Sequence, residues 1–190
     1  MNKIHHSESG STLLELMVVL LIIAMMAMIT MPLLQEQIAA REIDSLARRF
    51  IHHAHFARQQ ALHLGEPILF TPHHVNRSDS RGWDDGWIIQ SGCIGKITKP
   101  DCVPKYWFSQ GSIEPIYFKG GGKQFTDPHT GKRGILFNAA GAAKTAQGGF
   151  VANRLILGHQ RAPRLERQLI LGSGGRWRIC NPARDAKRCH

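Results

Sequence analysis

The stretch GSTLLELMVVLLIIAMMAMITMP, residues 10–32, decides the fold. Between Leu13 and Met31 it carries one charge, Glu15, near its start. A helix rises about 1.5 Å per residue, so this run can cross most of a hydrocarbon core about 30 Å thick. A carboxylate inside such a span costs about 2.5–3.5 kcal/mol on insertion scales, so we expect Glu15 to pair with a cation at the same depth.

The chain itself can supply that cation. Cleavage after Gly10 would give Ser11 a free α-ammonium group. A secretory signal peptide would instead have a more basic start and a small-residue cleavage site after the apolar run, whereas Gly10 precedes the run. If such a cleavage occurs, residues 1–10 are a leader peptide.

The arrangement of Gly10, Ser11 and Glu15 resembles the class III signal of type IV pilins and type II secretion pseudopilins. The resemblance implies that a prepilin peptidase cuts after Gly10 and methylates the new N-terminus. It also implies that Glu15 neutralises the N-terminus of a neighbouring subunit when the filament assembles. Pro32 falls where many pilins have a helix-loosening proline, and Ser11 stands where the family usually has Phe.

The helical pattern continues past Pro32. Apolar residues recur at three- and four-residue steps from Ile43 to Leu64, as on one face of an amphipathic helix. Gly65 is a natural end for this helix. A helix from Thr12 to Leu64 would be about 80 Å long, a length that a filament subunit needs and a soluble core does not.

After Gly65 the chain changes to short β-like runs broken by Gly, Pro, Asn and Asp. These runs do not alternate with helical segments, which argues against a parallel α/β sheet. The predicted fold class is α+β and type IV pilin-like, with a long N-terminal helix packed against an antiparallel β-sheet head. The predicted strands are Ile68–Thr71, Gly86–Gln90, Tyr106–Ser109, Ile113–Lys119, Gly134–Asn138, Phe150–Gly158, Gln168–Gly172 and Arg176–Cys180. The predicted organisation is a leader over 1–10, a transmembrane and assembly helix over 11–32, an amphipathic helix over 33–64 and a periplasmic β-rich head over 65–190.

Four short motifs extend the resemblance across almost the whole chain, to the minor pilins and pseudopilins of the GspH/FimT group. The resemblance implies a single-pass protein of the inner membrane, with a periplasmic head, that joins other pilins or pseudopilins in a filament. The motifs are Ala57-Arg58-Gln59-Gln60-Ala61, Trp83-Asp84-Asp85-Gly86-Trp87, Phe137-Asn138-Ala139-Ala140-Gly141 and Gly175-Arg176-Trp177-Arg178.

Four cysteines, Cys93, Cys102, Cys180 and Cys189, form two pairs with the same nine-residue step. An oxidising compartment would let them close as two local disulfides. Three connectivities are possible, and the sequence does not choose among them. A zinc site made of all four cysteines is the competing hypothesis, but it usually needs closer spacing within each pair.

Positive charge is concentrated at the C-terminal end. The formal net charge is +10, and residues 131–190 contain twelve Lys or Arg and only two acids, so they account for the whole excess. This asymmetry predicts a positive surface for a polyanion, most simply DNA. The candidates are Arg154, Arg161, Arg164, Arg167, Arg176, Arg178, Arg184, Lys187 and Arg188.

Arg176 and Arg178 are the sharpest pair among these candidates. In a strand they would project from one face, with Trp177 and Ile179 on the other. Resemblance to the FimT-like minor pilins implies that this Gly-Arg-x-Arg motif captures DNA during natural transformation. Arginine suits phosphate because its planar fork donates two hydrogen bonds at once.

The residues beside this pair add to the hypothesis. Gly174 and Gly175 would let the backbone turn approach a phosphate closely. A Cys180–Cys189 bridge would bring Arg184, Lys187 and Arg188 toward the same end.

An alternative function needs no DNA. A structural GspH-like minor pseudopilin of a type II secretion system would use its basic residues for solubility or for contacts with acidic neighbouring subunits. We expect no enzyme, cofactor or metal site, because no serine has a Gly-x-Ser-x-Gly setting and no carboxylate joins the histidines at a ligand-like step. We expect His52, His53 and His55 to face solvent, and Trp83 and Trp87 to pack in the core.

Overall fold

The computed structural model describes residues 11–73, 82–92, 103–121, 134–144, 152–172 and 174–189. The chain divides into two units, one ending at Ile38 and a larger one that begins at Ala39, here called the head. Helix α1 runs from Ser11 to Leu64 without a break at Pro32, within one residue of the predicted start.

In the first unit α1 is solvent-exposed from Leu13 to Ile38. Its most apolar 18-residue window has a mean hydropathy of 2.7. The length and composition needed to cross a membrane are therefore both present in this segment.

Two antiparallel sheets form the β part of the head. Their spatial orders are β3-β2-β1-β5-β6 for the first sheet and β4-β7-β8-β9 for the second. The strands are β1 (Ile68–Pro72), β2 (Trp87–Ser91), β3 (Lys105–Gln110), β4 (Ile116–Gly121), β5 (Ile135–Phe137), β6 (Ala143–Lys144), β7 (Asn153–His159), β8 (Glu166–Leu171) and β9 (Trp177–Cys180). A short helix α2 (Pro182–Asp185) and single 3-10 turns at Gly82–Asp85 and Ala186–Arg188 complete the described elements.

The predicted α+β fold is confirmed, and all eight predicted strands are present with ends shifted by at most three residues. The sequence did not predict that the strands form two sheets. It also missed β6 and α2, because elements of two and four residues are too short to show a periodic pattern.

The core lies between α1 and the two sheets. The predicted apolar face of α1 is buried from Ile43 to Ala61, whereas Leu64, the last residue of the helix, is exposed. Four positions on this face are alanines that are completely buried, so the sheets approach the helix backbone closely. These alanines are Ala47, Ala54, Ala57 and Ala61.

The Trp-x-x-Gly-Trp motif brings the start of β2 into this core. Trp83 and Trp87 are both buried, as predicted. Between them Gly86 has φ +92°, and a Cβ there would overlap the carbonyl oxygen of Gln110, so only glycine fits. Asp84 Oδ1 accepts a hydrogen bond from the Phe118 N–H at 2.7 Å, which ties the motif to β4.

We predicted that His53 would face solvent, but it is partly covered by the head. It is half-buried, and its Nδ1 accepts a hydrogen bond from Trp87 Nε1–H at 3.0 Å. Its ring centroid lies 3.9 Å from that of Phe108. Burial, followed by the charges of His52 and Arg49, lowers the pKa of His53 below 6.5.

We expect the head to lose stability as the pH falls below 6.5, the ordinary pKa of histidine. Unfolded chains take up a proton at His53 there, whereas folded chains do so only at the lower, folded-state pKa, below which the loss levels off. The lowered pKa of His55 acts in the same direction. Urea unfolding at a series of pH values measures the effect.

His53→Asn keeps an acceptor but cannot be protonated, so it should lose less stability on acidification than the wild type. His63→Asn, at an exposed position, is the control. An acid loss that is the same in His53→Asn as in the wild type would contradict the assignment.

Candidate nucleic-acid interface

The register of the second sheet decides which of its side chains face outward. Leu155 on β7 pairs with Leu169 on β8, and both are buried against the core. In the neighbouring row Arg154 pairs with Ile170, which pairs in turn with Arg178 on β9. Both arginines are exposed on the outer face, two strands and therefore about 10 Å apart.

Arg176 continues this face at the start of β9. The N–H of Gly172 donates to the Arg176 carbonyl at 2.9 Å, which keeps Arg176 in register one row beyond the strand. Arg176 is exposed, while Trp177 points inward with its ring centroid 5.4 Å from that of Phe50. Because the partly buried Trp177 packs inward, the two flanking arginines point to the same, outer side.

Ile179 lies on the face opposite the two arginines, as predicted, but it is not covered there. It is 39% exposed, although its partner Leu169 is completely buried. β9 is the last strand in the described order of its sheet, so its inner face is only partly covered.

Gly175 also differs from its predicted role. Its φ of +74° requires glycine, but the residue is buried. A Cβ at this position would lie 3.5 Å from the Gly141 carbonyl oxygen and 3.8 Å from Arg58 Cζ. Gly175 therefore packs against its own chain and presents no surface to a phosphate, while Gly174 is exposed.

The C-terminal tail is held on the outer face by a disulfide between Cys180 and Cys189, whose Cα atoms are 5.6 Å apart. Because strand side chains alternate, Cys180 points to the same face as Arg178. The bond excludes a zinc site of all four cysteines, and the other two, Cys93 and Cys102, lie outside the described residues.

The tail adds positive charge to this face. Asn181 Oδ1 accepts the Ala183 N–H at 3.1 Å and caps α2, which lies against β8. Arg184 and Lys187 are exposed, and the side chain of Arg188 is outside the described ones. We call five exposed cations the basic face: Arg154, Arg176, Arg178, Arg184 and Lys187.

The acid on the strands of this face is already paired. Glu166 Oε1 lies 2.6 Å from Lys119 Nζ, which also donates to the Pro163 carbonyl at 3.0 Å. The hydrogen bond that Lys119 donates to the Glu166 carboxylate raises the pKa of Lys119. Glu166 is therefore engaged by a cation outside the basic face.

Arg167, another predicted DNA-binding residue, does not join the basic face. Its side chain is 9% exposed, and its Nε donates to Asp44 Oδ1 at 2.6 Å. Two further hydrogen bonds reach Asp44 Oδ2 at 3.3 Å and the Glu166 carbonyl at 2.8 Å. Its guanidinium fastens β8 to α1, so a ligand has no access to it.

Arg161 and Arg164 are exposed but are not brought to the basic face. They lie in the turn between β7 and β8, at the opposite end of β8 from Arg176 and about 20 Å away. The N–H of Arg161 donates to His159 Nδ1 at 3.2 Å, and His159 Nε2 lies 2.7 Å from Glu42 Oε2. The His159–Glu42 hydrogen bond and the Arg167–Asp44 ion pair therefore tie this end of the head to α1.

Sequence reasoning missed one residue near the Gly-Arg-x-Arg motif. Arg58 belongs to the Ala-Arg-x-x-Ala motif on α1, but its half-buried guanidinium lies beneath the turn that holds Gly175. The available signal was a lone cation on the flank of a helix face whose neighbours, Ala54, Ala57 and Ala61, are all apolar.

We expect Arg167→Met to lower the free energy of unfolding by about 1–3 kcal/mol, because Asp44 loses its charged partner in a partly buried setting. Urea unfolding measures this. Arg164→Met removes the same charge from an exposed turn and should change stability by no more than about 0.5 kcal/mol. Equal stability of the two variants would refute the structural role of Arg167.

Replacing Cys180 and Cys189 together with serine should lower the free energy of unfolding by about 2–3 kcal/mol, since the bridge closes a short loop. The cysteines are nine residues apart in the chain. Unfolding of the oxidised wild type and of the double variant provides the comparison. An unchanged midpoint would mean that the bridge does not hold the tail to the sheet.

Comparisons with known proteins agree with this architecture. The family model for the prokaryotic N-terminal methylation motif matches residues 5–31, and that for the type II transport protein GspH matches residues 46–189. No curated protein sequence matches the chain.

Solved structures of two other proteins align with this chain. The type IV minor pilin FimU of Pseudomonas aeruginosa (strain PAO1) aligns with a TM-score of 0.52 and 12% identity over 76% of this chain and 92% of FimU. The minor pseudopilin EpsH from the type 2 secretion system of Vibrio cholerae aligns with a TM-score of 0.47 and 11% identity over 74% of this chain and 98% of EpsH. Because the GspH family model spans well over half of the chain and the methylation motif precedes it, the chain belongs to the GspH/FimT family of minor pilins and pseudopilins.

Proposed function

We propose that this minor pilin binds double-stranded DNA through the basic face and serves DNA uptake in natural transformation. The observation that carries the proposal is the exposure of Arg154, Arg176 and Arg178 on one side of the second sheet, where Glu166 is paired with Lys119. Arginine forks on a rigid sheet suit the phosphate oxygens of a nucleic-acid backbone.

Binding of this kind is non-specific. Among the described residues, α2 is the one α-helix besides α1. Its four residues are too few to read base edges in a major groove. Phosphate contacts fix position and carry no sequence information. They also release counterions, so the affinity falls steeply as salt rises.

We also propose a membrane arrangement, based on the N-terminal motif. A prepilin peptidase removes residues 1–10, so that Ser11 becomes the methylated N-terminus and Glu15 neutralises that of a neighbouring subunit. Residues 11–32 then span the inner membrane, residues 33–64 continue into the head, and residues 65–190 lie in the periplasm. Support comes from the match to the methylation motif and from the exposed apolar surface of α1.

A second candidate function is a structural minor pseudopilin of a type II secretion system. The name of the matched family, type II transport protein GspH, favours it. In that role the basic face would contact acidic surfaces of neighbouring subunits, with no part for DNA.

The two candidates separate in a mobility-shift assay with the full chain in an uncharged detergent. A short DNA duplex is titrated over a series of salt concentrations. We expect wild-type binding to weaken with salt, and Arg176→Gln/Arg178→Gln to lower the slope of log affinity against log salt by about 1.8, or 0.9 for each lost contact.

The charge-matched control is Arg48→Gln/Arg49→Gln, at two exposed positions of α1 that should leave the slope unchanged. Thermal unfolding shows that each variant is folded. Wild-type affinity in the folded Arg176→Gln/Arg178→Gln variant would overturn the proposal. No shift by the wild type even at low salt would favour the pseudopilin function.

A further inference from the structure

Arg58 lies at a place where the helix meets the motif of the last strand. It belongs to the final turns of α1, beside alanines that are completely buried, and is itself half-buried. Its Cζ atom is 3.8 Å from the point that a Cβ of Gly175 would occupy. The guanidinium therefore lies directly under the turn between β8 and β9.

Within the described part of the chain, Arg58 lacks the hydrogen-bond partners that the other partly enclosed arginine of the head, Arg167, has. The Nε of Arg58 is buried and has no hydrogen-bond partner among the described residues. Arg167, by contrast, is satisfied by Asp44 and by the Glu166 carbonyl. A partly desolvated cation is stabilised when an anion pairs with it, so the site of Arg58 favours a negatively charged ligand.

Gly175, in the turn above Arg58, is buried, and Arg58 is half-buried. Gly175 has no side chain, and any Cβ there would sit between the turn and the Arg58 guanidinium. The next residue, Arg176, is exposed at the edge of the same turn. Because Gly175 has no side chain, only its backbone lies between the Arg58 guanidinium on α1 and Arg176 on the other side of the turn.

From this geometry we infer that Arg58 is a phosphate-binding residue of the DNA interface and acts together with Arg176 on the DNA backbone. The inference rests on the proposed DNA-binding function and extends it from the β-sheet to α1. Arg58 supplies a fork that the core holds in place, whereas Arg176 supplies one from an exposed turn. Fixed donors lose less conformational entropy when they bind, so Arg58 adds a preorganised contact.

Chemical protection tests the inference without a mutation. The full wild-type chain in uncharged detergent is treated with phenylglyoxal, which modifies accessible arginines, with and without the DNA duplex, and the sites are mapped by mass spectrometry. We expect DNA to protect Arg58 and Arg176 but not Arg48 and Arg49. Modification of Arg58 that DNA does not reduce, while Arg176 is protected, would overturn the inference alone.

Salt dependence provides the second test. Arg58→Gln should lower the slope of log affinity against log salt by about 0.9, the loss of one phosphate contact. Arg48→Gln, which removes one exposed charge from the same helix, should leave the slope unchanged. Equal slopes and affinities for the two variants would overturn the inference, and a wild type that binds no DNA would overturn the proposed function with it.

Arg58→Lys covers the case in which Arg58→Gln does not fold. Lysine keeps the charge and so the salt slope, but it loses the planar fork, and the affinity for the duplex should fall. Wild-type affinity in Arg58→Lys would count against a role for the Arg58 guanidinium. Thermal unfolding of each variant separates a loss of binding from a loss of structure.

Discussion

Phe50 is the point on which the two sheets meet. Its ring is in edge-to-face or tilted contact with aromatic rings from both, including Phe70 of the first sheet at 4.9 Å and Trp177 of the second sheet at 5.4 Å between centroids. Such pairs contribute about 0.5–1.5 kcal/mol each beyond their buried area. Because Trp177 is flanked by Arg176 and Arg178, the packing that closes the core also fixes the direction of the surface arginines.

Basic side chains have partners at one end of the head, whereas Arg58 at the other end has none among the described residues. At the end where α1 enters, Glu42 and Asp44 pair with His159 and Arg167 and fasten the second sheet to the helix. Fourteen residues along the helix, about 21 Å from Asp44, Arg58 has a buried Nε without a partner in the described residues. Arg167 thus holds the second sheet to α1, whereas Arg58 can still pair with an anion.

Local patterns predicted the fold well, because helix and strand periodicity records which side chains are buried. The apolar stripe of α1, the Trp-x-x-Gly-Trp motif and the alternation around Trp177 could all be predicted in this way. Which arginines share a surface could not, because that depends on register between strands far apart in sequence. Arg154 shares a face with Arg178 only because β7, β8 and β9 pair in this register. Arg167 is kept from the basic face by its ion pair with Asp44, which lies 123 residues earlier in the chain.

A disulfide that closes the C-terminal tail also changes what a protease can do to it. Arg184 and Lys187 are exposed, and trypsin-like enzymes cut the peptide bonds that follow such residues. Both residues lie between Cys180 and Cys189. A single cut after either residue leaves the two pieces joined through sulfur. The nicked tail therefore stays attached to the edge of the second sheet, and the head keeps its positive charge for as long as the disulfide is intact.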